Sequence, residues 1–244
     1  MTAREASRYQ WEQLKDKPLS AKLKYIFTYY WPGILAVVCI VAFAISWITN
    51  ALQQKELALS GYLINSITVQ DYEGDFQQNF LELLELNPDK YSFKLTSDVS
   101  YSTTDRTETS MYVLESIVVQ CASGELDFIV ADWNTFPCFT AYYGSLKEIL
   151  PAEKLEQWQA HLVYAERKAL QDFTSGDLDQ EIVYPEYSFS DEGMTDPVPI
   201  GIRLPEANPM LQAYSFPAGD VILGITVNSQ HTENTLAFLE YILN

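Results

Sequence analysis

The sequence has little histidine, cysteine, glycine and basic charge, and these shortages exclude several classes of protein. Its 244 residues include two histidines, three cysteines and ten glycines, and 15 basic residues stand against 33 acidic ones. Three cysteines allow at most one internal disulfide, which excludes a disulfide-dense scaffold. A net charge of −18 leaves no basic surface to displace phosphate counterions, so we expect no binding of nucleic acid. The 48% hydrophobic content excludes a mostly disordered chain.

Sequence signatures of common enzymes are also missing. The chain contains no G-x-S-x-G, H-E-x-x-H, phosphate-loop or G-x-G-x-x-G motif. A Ser-His-Asp or Cys-His site would have to use His161 or His231. We therefore predict a protein that is not an enzyme and that needs no cofactor and no metal. Either histidine in a cleft, beside a carboxylate and a hydroxyl or thiol, would favour the enzymatic alternative.

Charge is distributed unevenly along the chain. Residues 1–33 carry six basic and three acidic residues, a net charge of +3, whereas the remainder carries nine basic and thirty acidic residues, a net charge of −21. No charged residue occurs from Tyr25 to Gln54, and Ile34–Ile48 contains one polar residue, Ser46. With the aromatic residues before it, the apolar stretch reaches roughly 23 residues, enough to cross ~30 Å of hydrocarbon as a helix. The sequence predicts a single uncleaved transmembrane helix.

Three other interpretations of the apolar stretch fit the sequence less well. A helix buried in a soluble protein rarely lacks charge over such a length. A cleaved signal peptide has a short basic region before its apolar core, whereas more than thirty residues precede this one. A lipoprotein carries a small residue before its modified cysteine, but Cys39 follows Val37 and Val38.

The basic residues before the span predict its orientation. Lys and Arg next to a transmembrane helix stay on the cytoplasmic side. The anionic remainder is then expected outside the cell membrane, and a bacterial surface is the simplest setting. The predicted layout is a cytoplasmic tail over residues 1–24, a transmembrane helix over 25–49 and an extracytoplasmic domain over 50–244.

Hydrophobic periodicity beyond the span predicts an α/β domain. Apolar strands alternate with amphipathic helices, in the order strand 57–67, helix 75–86, strand 91–101, helix 105–122 and strand 126–131. Thr107 or Thr109 is a candidate cap of the second helix, and Gly124 ends it. This alternation requires right-handed crossovers and a parallel sheet. Later elements are predicted as helix 152–169, strands 198–204 and 221–227, and helix 232–243.

Three stretches resemble extracellular solute-binding proteins with the type II periplasmic-binding fold. They are Met111–Asp132, a helix leading through a Gly turn to a strand, the strand Pro199–Leu204, and Val221–Leu243, a strand followed by a closing helix. The resemblance implies a two-lobed α/β domain that captures a small solute such as a sugar, an amino acid or a peptide. Only about 190 residues follow the span, so the second lobe must be reduced.

The ligand of an open parallel sheet binds at the carboxyl ends of its strands. The predicted ligand-binding residues are Asp132, Trp133, Asn134, Arg203 and Asn228. Asp132 could accept hydrogen bonds from a ligand, and Trp133 offers a flat apolar face. The alternative is that Asp132 caps the turn that follows its strand.

Three questions stay open on the sequence alone. Asp177, Asp179 and Glu181 supply oxygen ligands at alternate positions, but they lack the spacing of an EF-hand, so a solvated acidic loop is the favoured interpretation. Cys121 and Cys138 are either two buried thiols or a disulfide. The outer domain binds a small solute or a neighbouring membrane protein, and the alternative is a structural or assembly subunit of a membrane complex that binds no ligand.

Overall fold

The structure is a computed structural model, and it divides into two compact units, Met1–Gln54 and Lys55–Asn244. It describes residues 18–53, 55–69, 72–102, 107–175, 183–217 and 219–243. Most of the basic tail and the acidic residues Asp177, Asp179 and Glu181 lie outside these described residues. Each unit is treated by itself below.

The first unit contains one long helix, α1, over Leu19–Gln53. Its segment Trp31–Thr49 is 19 residues long, has a mean hydropathy of 2.3 and is 0% buried. At 1.5 Å per residue this segment extends about 28 Å, close to the thickness of a bilayer core. Side chains such as Phe43, which is 75% exposed, do not pack into a protein core. The chain therefore has one N-terminal helix that is long and apolar enough to span a membrane.

The second unit is built on a mixed seven-stranded sheet with the strand order β3-β1-β4-β9-β7-β5-β6. A separate ribbon pairs β2 with β8. β1 pairs in parallel with β3 and with β4, whereas the pairs from β4 to β6 are antiparallel. The strands are β1 Glu56–Ile64, β2 Ile67–Thr68, β3 Tyr91–Val99, β4 Phe128–Asp132, β5 Leu162–Glu166, β6 Tyr187–Ser188, β7 Pro197–Arg203, β8 Tyr214–Ser215 and β9 Val221–Ile225.

Seven α-helices and two 3-10 segments in the described part of the second unit connect the strands. The 3-10 segments are Phe136–Tyr142 and Gln159–His161. The helices are α2 Glu73–Leu83, α3 Glu108–Ser123, α4 Leu146–Ile149, α5 Ala152–Gln157, α6 Arg167–Ser175, α7 Pro209–Ala213 and α8 Thr232–Leu243. As predicted, Thr107 caps α3 by accepting a hydrogen bond from the backbone of Ser110, and Gly124 ends it with a φ of 74°.

The order of the three parallel strands explains the two-sided core. Because β3 and β4 lie on opposite sides of β1, right-handed crossovers place α2 and α3 on opposite faces of the sheet. Phe76 and Phe80 of α2 pack with Phe238 of α8 on one face, while Val113 and Ile117 of α3 pack on the other. The sheet is thus covered by apolar side chains on both faces, as its three parallel strands require.

A close contact between β1 and β4 depends on glycine. Gly61 pairs with Phe128, and a Cβ atom on Gly61 would lie 2.2 Å from the Phe128 ring. The ring in turn stacks on Phe238 of α8, with centroids 4.8 Å apart. Fully burying a phenylalanine side chain contributes about 1.5–3 kcal/mol. Glycine therefore allows the aromatic core to reach the middle of the sheet.

The α/β class is confirmed, but the expectation of a parallel sheet is wrong for four of the seven strands. Among the described strands only β3, β1 and β4 are joined in parallel, because β9 lies antiparallel between β4 and β7, and β5 and β6 also pair antiparallel with their neighbours. The solute-binding arrangement with a reduced second lobe stays a prediction. The closing helix, predicted over residues 232–243, has these bounds in the structure.

The long helix predicted over residues 152–169 is also wrong. The segment contains α5, a 3-10 turn, β5 and the start of α6. Leu162, Val163, Tyr164 and Ala165 are all buried, so both sides of the segment face apolar neighbours. Four successive buried residues suit a strand covered on both faces rather than a helix with one apolar side.

Candidate functional site

Asp132 is the last residue of β4, and its carboxylate accepts hydrogen bonds from the turn that follows. Its Oδ1 accepts hydrogen bonds from the backbone N–H groups of Asn134 at 3.0 Å and Thr135 at 3.2 Å, and its Oδ2 accepts one from the Thr135 hydroxyl at 2.8 Å. Only 6% of the residue is exposed. These contacts match the turn-cap alternative for Asp132, because both carboxylate oxygens are occupied within three residues of chain.

The carboxyl ends of β1 and β4 are tied together by their own side chains. Asn65, which follows β1 with a φ of 58°, donates a hydrogen bond from Nδ2 to the Thr135 hydroxyl oxygen at 3.1 Å. The Asn65 Oδ1 accepts one from the backbone N–H of Tyr101 at 2.8 Å. The helices that follow β1 and β3 lie on opposite faces of the sheet. In an open α/β sheet, the crevice at the carboxyl ends of such neighbouring strands is the usual place for a ligand. Here the polar groups satisfy one another.

A surface group lies beside this turn and includes two more of the predicted residues. We call Trp133, Phe189, Arg203 and Asp220 the carboxyl-end cluster. The Trp133 and Phe189 rings are 4.5 Å apart, and the Arg203 guanidinium lies 4.6 Å from the Phe189 ring centroid. Arg203 Nη1 is 3.8 Å from Asp220 Oδ1, and both side chains are partly exposed. The cluster is held by a tilted contact between the two aromatic rings and by a cation–π contact.

The five predicted ligand residues do not form one site. Asp132, Trp133, Asn134 and Arg203 lie at the same edge of the sheet, because β4 and β7 run in the same direction on either side of antiparallel β9. Asn228 follows the other end of β9 and therefore lies at the opposite edge. Its Nδ2 donates a hydrogen bond to the carbonyl of Cys121 in α3 at 3.1 Å.

At that opposite edge, Asp127 precedes β4 as a fully buried carboxylate. Its Oδ2 accepts a hydrogen bond from the backbone N–H of Ser60 at 2.8 Å, and its Oδ1 accepts one from the Ser229 hydroxyl at 2.7 Å. His231 Nδ1 lies 3.1 Å from both oxygens. Asp127 thus joins β1, the start of β4 and the loop before α8.

The Asp127 contact fixes the hydrogen-bonding roles of the His231 ring. A carboxylate only accepts hydrogen bonds, so Nδ1 of His231 carries the hydrogen in this contact. In the neutral imidazole, Nε2 is then left with its lone pair as an acceptor. The His231 side chain is 25% exposed. A buried carboxylate that orients a half-buried imidazole in this way is a common arrangement at binding and catalytic sites.

His231 lines a cavity that we call the amino-end cavity. It has a volume of about 360 Å³ and lies where β1 and β3 begin and α3 and α8 approach them. Its polar lining consists of Glu56, Glu125, Gln230, His231 and Asn234. Its apolar lining includes Leu57, Ala58, Leu86 and Tyr91. The volume lies at the lower end of the range for small-molecule sites.

The groups that a Ser-His-Asp enzyme requires are present around His231, but they are not arranged as a catalytic triad. His231 lines a cavity beside a carboxylate and a hydroxyl. In a Ser-His-Asp triad the serine is hydrogen-bonded to the second imidazole nitrogen. Here Ser229 donates to Asp127 instead. The other histidine, His161, has its Nδ1 buried without a hydrogen-bond partner among the described residues.

A smaller cavity of about 240 Å³ lies between the Phe136–Tyr142 segment, α6 and β7. Tyr143 contributes to its lining, and the Tyr143 hydroxyl is buried without a hydrogen-bond partner in the described part of the chain. Burial raises the pKa of this phenol well above its ordinary value. The charged lining residue, Arg167, is paired with Asp196 at 2.6 Å. This cavity offers fewer free polar groups than the amino-end cavity.

The remaining candidate groups are the thiols of the two cysteines in the second unit and possible metal ligands. Cys121 and Cys138 are free cysteines in the structure. Burial raises the pKa of the Cys121 thiol to about 11 and also raises that of Cys138, so neither is an activated nucleophile. Within the described residues, no group of three or more histidine, cysteine, aspartate or glutamate side chains could hold a metal ion.

Sequence reasoning missed Asp127 and the role of its neighbours. Asp127 interrupts the apolar run Leu126–Ala131 only one residue after it begins, and an isolated carboxylate inside a predicted buried strand is the available signal. Its partners lie 67 to 104 residues away in the chain, so no local motif connects them. Comparison with protein-family models, with curated proteins and with solved structures gives no match to this chain.

Proposed function

We propose that the chain is a single-pass protein of the cell membrane whose α/β unit lies outside the cytoplasm and binds a small solute without converting it. The apolar helix Trp31–Thr49 supports the anchor. The net charge of +3 over residues 1–33 and of −21 over the rest supports an orientation with the N-terminus inside. The resemblance of three stretches to solute-binding proteins supports the binding role.

The observation that carries the binding role is the amino-end cavity. Five polar residues line a space of about 360 Å³, and one of them carries an imidazole positioned by a fully buried carboxylate. Burying a carboxylate without solvent is costly unless it is hydrogen-bonded, and Asp127 makes three such contacts. The Ser229 hydroxyl is turned to Asp127 rather than to the imidazole, which favours binding over nucleophilic chemistry.

A thermal-shift screen of the full chain in detergent micelles tests solute capture. Sugars, amino acids, short peptides, organic cations and organic anions are added in separate samples. A ligand present at 100 times its Kd stabilises the folded state by about 2.7 kcal/mol, which raises the melting temperature by several degrees. We expect at least one class to do so. If none raises the melting temperature, solute capture is wrong.

Protease accessibility on intact cells tests the orientation. The proposal expects added protease to cleave the α/β unit while the N-terminal tail stays protected by the membrane. A matched sample of permeabilised cells shows that the tail can be cleaved once it is reachable. Protection of the C-terminal part in intact cells would contradict the proposed orientation.

An assembly subunit is the second candidate function, and the outer face of α3 favours it. Met111, Tyr112 and Val119 are between 55% and 71% exposed on this helix, and the neighbouring Val118 is 43% exposed. Apolar side chains grouped on an exposed helix face are typical of protein–protein contacts. A Val119→Asp variant should then lose a cross-linked partner in native membranes, whereas Leu83→Asp on α2, also an apolar site more than half exposed, should retain it.

A further inference from the structure

The polar lining of the amino-end cavity consists largely of hydrogen-bond acceptors. Glu56 and Glu125 are carboxylates, which accept hydrogen bonds and donate none. The amide nitrogens of Gln230 and Asn234 donate to the carbonyls of Ser123 at 3.2 Å and Ala58 at 2.7 Å. Each amide keeps its second N–H and its side-chain oxygen, so with the two carboxylates the lining holds more acceptors than donors.

His231 adds one more acceptor to this set. Because Nδ1 donates to Asp127, Nε2 of the neutral ring keeps a lone pair. A neutral solute with mixed donors and acceptors would leave several of these groups unmatched. The solute that complements them is one that carries several N–H donors and a positive charge.

The charges around the cavity favour the same class of solute. Neither Glu56 nor Glu125 forms an ion pair within the part of the chain that the structure describes. The excess of thirty acidic over nine basic residues after residue 33 gives a field that attracts cations. Tyr91 adds an aromatic ring to the lining, and such a ring attracts a cation at its face.

We propose that the amino-end cavity binds an organic cation that carries N–H groups, of the primary or secondary alkylammonium class. The carboxylates of Glu56 and Glu125 balance its charge, His231 Nε2 accepts one of its hydrogen bonds, and the apolar lining from Leu57, Leu86 and Tyr91 contacts its alkyl chain. This inference rests on the proposed solute-binding function and names the class of solute.

Titration of the full chain in detergent micelles with 1,4-diaminobutane tests the proposal. The sequence has only two histidines, so the imidazole NMR signals of His231 are assigned by comparison with His161→Gln. We expect a saturable shift of the His231 signals. The control solute is 1,4-butanediol, which has the same chain length and no charge, and we expect it to bind at least about tenfold more weakly, a difference of 1.4 kcal/mol.

A pair of charge-matched variants separates a specific contact from general attraction. Glu125→Gln removes one negative charge from the cavity lining, and Glu192→Gln removes one from an exposed loop far along the chain. We expect Glu125→Gln to weaken 1,4-diaminobutane binding about tenfold and Glu192→Gln to change it less than twofold. Equal weakening by both variants would overturn the proposed contact.

Asp127 is a positioning residue in this proposal, and Asp127→Asn tests that role. The asparagine oxygen can still accept from Ser60, but its amide nitrogen then faces His231 and donates to Nδ1. The hydrogen of the ring moves to Nε2, which becomes a donor. We expect the imidazole ¹⁵N signals to report the other tautomer and 1,4-diaminobutane binding to fall at least tenfold. An unchanged tautomer with unchanged binding would contradict the assignment.

The outcomes separate the class of solute from the binding function itself. If 1,4-butanediol shifts the His231 signals as strongly as 1,4-diaminobutane, the cation proposal is overturned while solute capture stands. If neither compound shifts them, the cation proposal is also overturned. The proposed function fails only if, in addition, no compound of the wider thermal-shift screen stabilises the chain.

Discussion

Strand β4 has a buried aspartate at each end, and the two carboxylates differ in where their partners come from. Asp132 is bound by Asn134 and Thr135, two and three residues further along the chain. Asp127 is bound by Ser60, Ser229 and His231, which are 67 to 104 residues away. The same chemical group thus shapes a local turn at one end and joins distant segments at the other.

This difference decides which end of the sheet is available for a ligand. At the carboxyl end the polar groups of Asn65, Asp132 and Thr135 bind one another. At the amino end the Asp127 network engages Nδ1 of His231, so Nε2 of the neutral ring keeps its lone pair, and His231 lines a cavity together with Glu56 and Glu125. The usual position of a ligand in an open α/β sheet is therefore the less suitable one here.

The largest expected effect comes from Asp127→Ala. The substitution leaves the Ser60 N–H and the His231 ring without their buried acceptor and should lower the free energy of unfolding by about 3–5 kcal/mol. Urea unfolding of the full chain in micelles, followed by tryptophan fluorescence, measures it. A loss below about 1 kcal/mol would contradict the structural role of this network.

Asp132→Ala should have a smaller effect. It removes a turn cap whose partners, the exposed Asn134 and the buried Thr135, lie within three residues, so we expect the free energy of unfolding to fall by about 1–2 kcal/mol. The same urea experiment measures it. Binding of 1,4-diaminobutane should be unchanged in this variant. A loss as large as that of Asp127→Ala would remove the distinction between the two ends of β4.

The smallest expected effect is that of Arg203→Ala in the carboxyl-end cluster. Its ion pair with Asp220 is long and partly exposed, and its contact with Phe189 is a surface cation–π interaction. Such contacts contribute up to about 1 kcal/mol. We expect a change of about 0.5–1 kcal/mol in unfolding and none in solute binding. Weaker binding in Arg203→Ala would instead locate the ligand at the cluster.

Elements whose sequence signals are local can be predicted from the sequence. The prediction fails for elements whose conformation depends on pairing with distant segments. The bounds of α8 and the caps of α3 follow from the periodicity and the end residues of these helices. β5 was expected to be helical, because the apolar residues of Leu162–Glu166 also fit a helical repeat and only its pairing with β6 and β7 makes it a strand. The antiparallel arrangement of β9, β7, β5 and β6 also depends on pairing between segments that are distant in the chain.

The same division applies to the candidate site. The turn cap at Asp132 was available as an alternative, because an aspartate followed two and three residues later by free backbone N–H groups is a local motif. Arg203 and Asp132 share an edge, but Asn228 lies at the other, since β9 runs antiparallel to its neighbours. The Asp127 network requires three segments to meet, which no sequence spacing shows.

The central claim is that the amino end of the sheet, and not the carboxyl end, binds the solute. One titration with 1,4-diaminobutane compares both ends in the same sample, through the imidazole signals of His231 and the indole N–H signal of Trp133. The signal of Trp133 is assigned with Trp133→Phe. We predict that the His231 signals shift saturably and that the Trp133 signal does not move. A saturable shift at Trp133 with no change at His231 would contradict the claim.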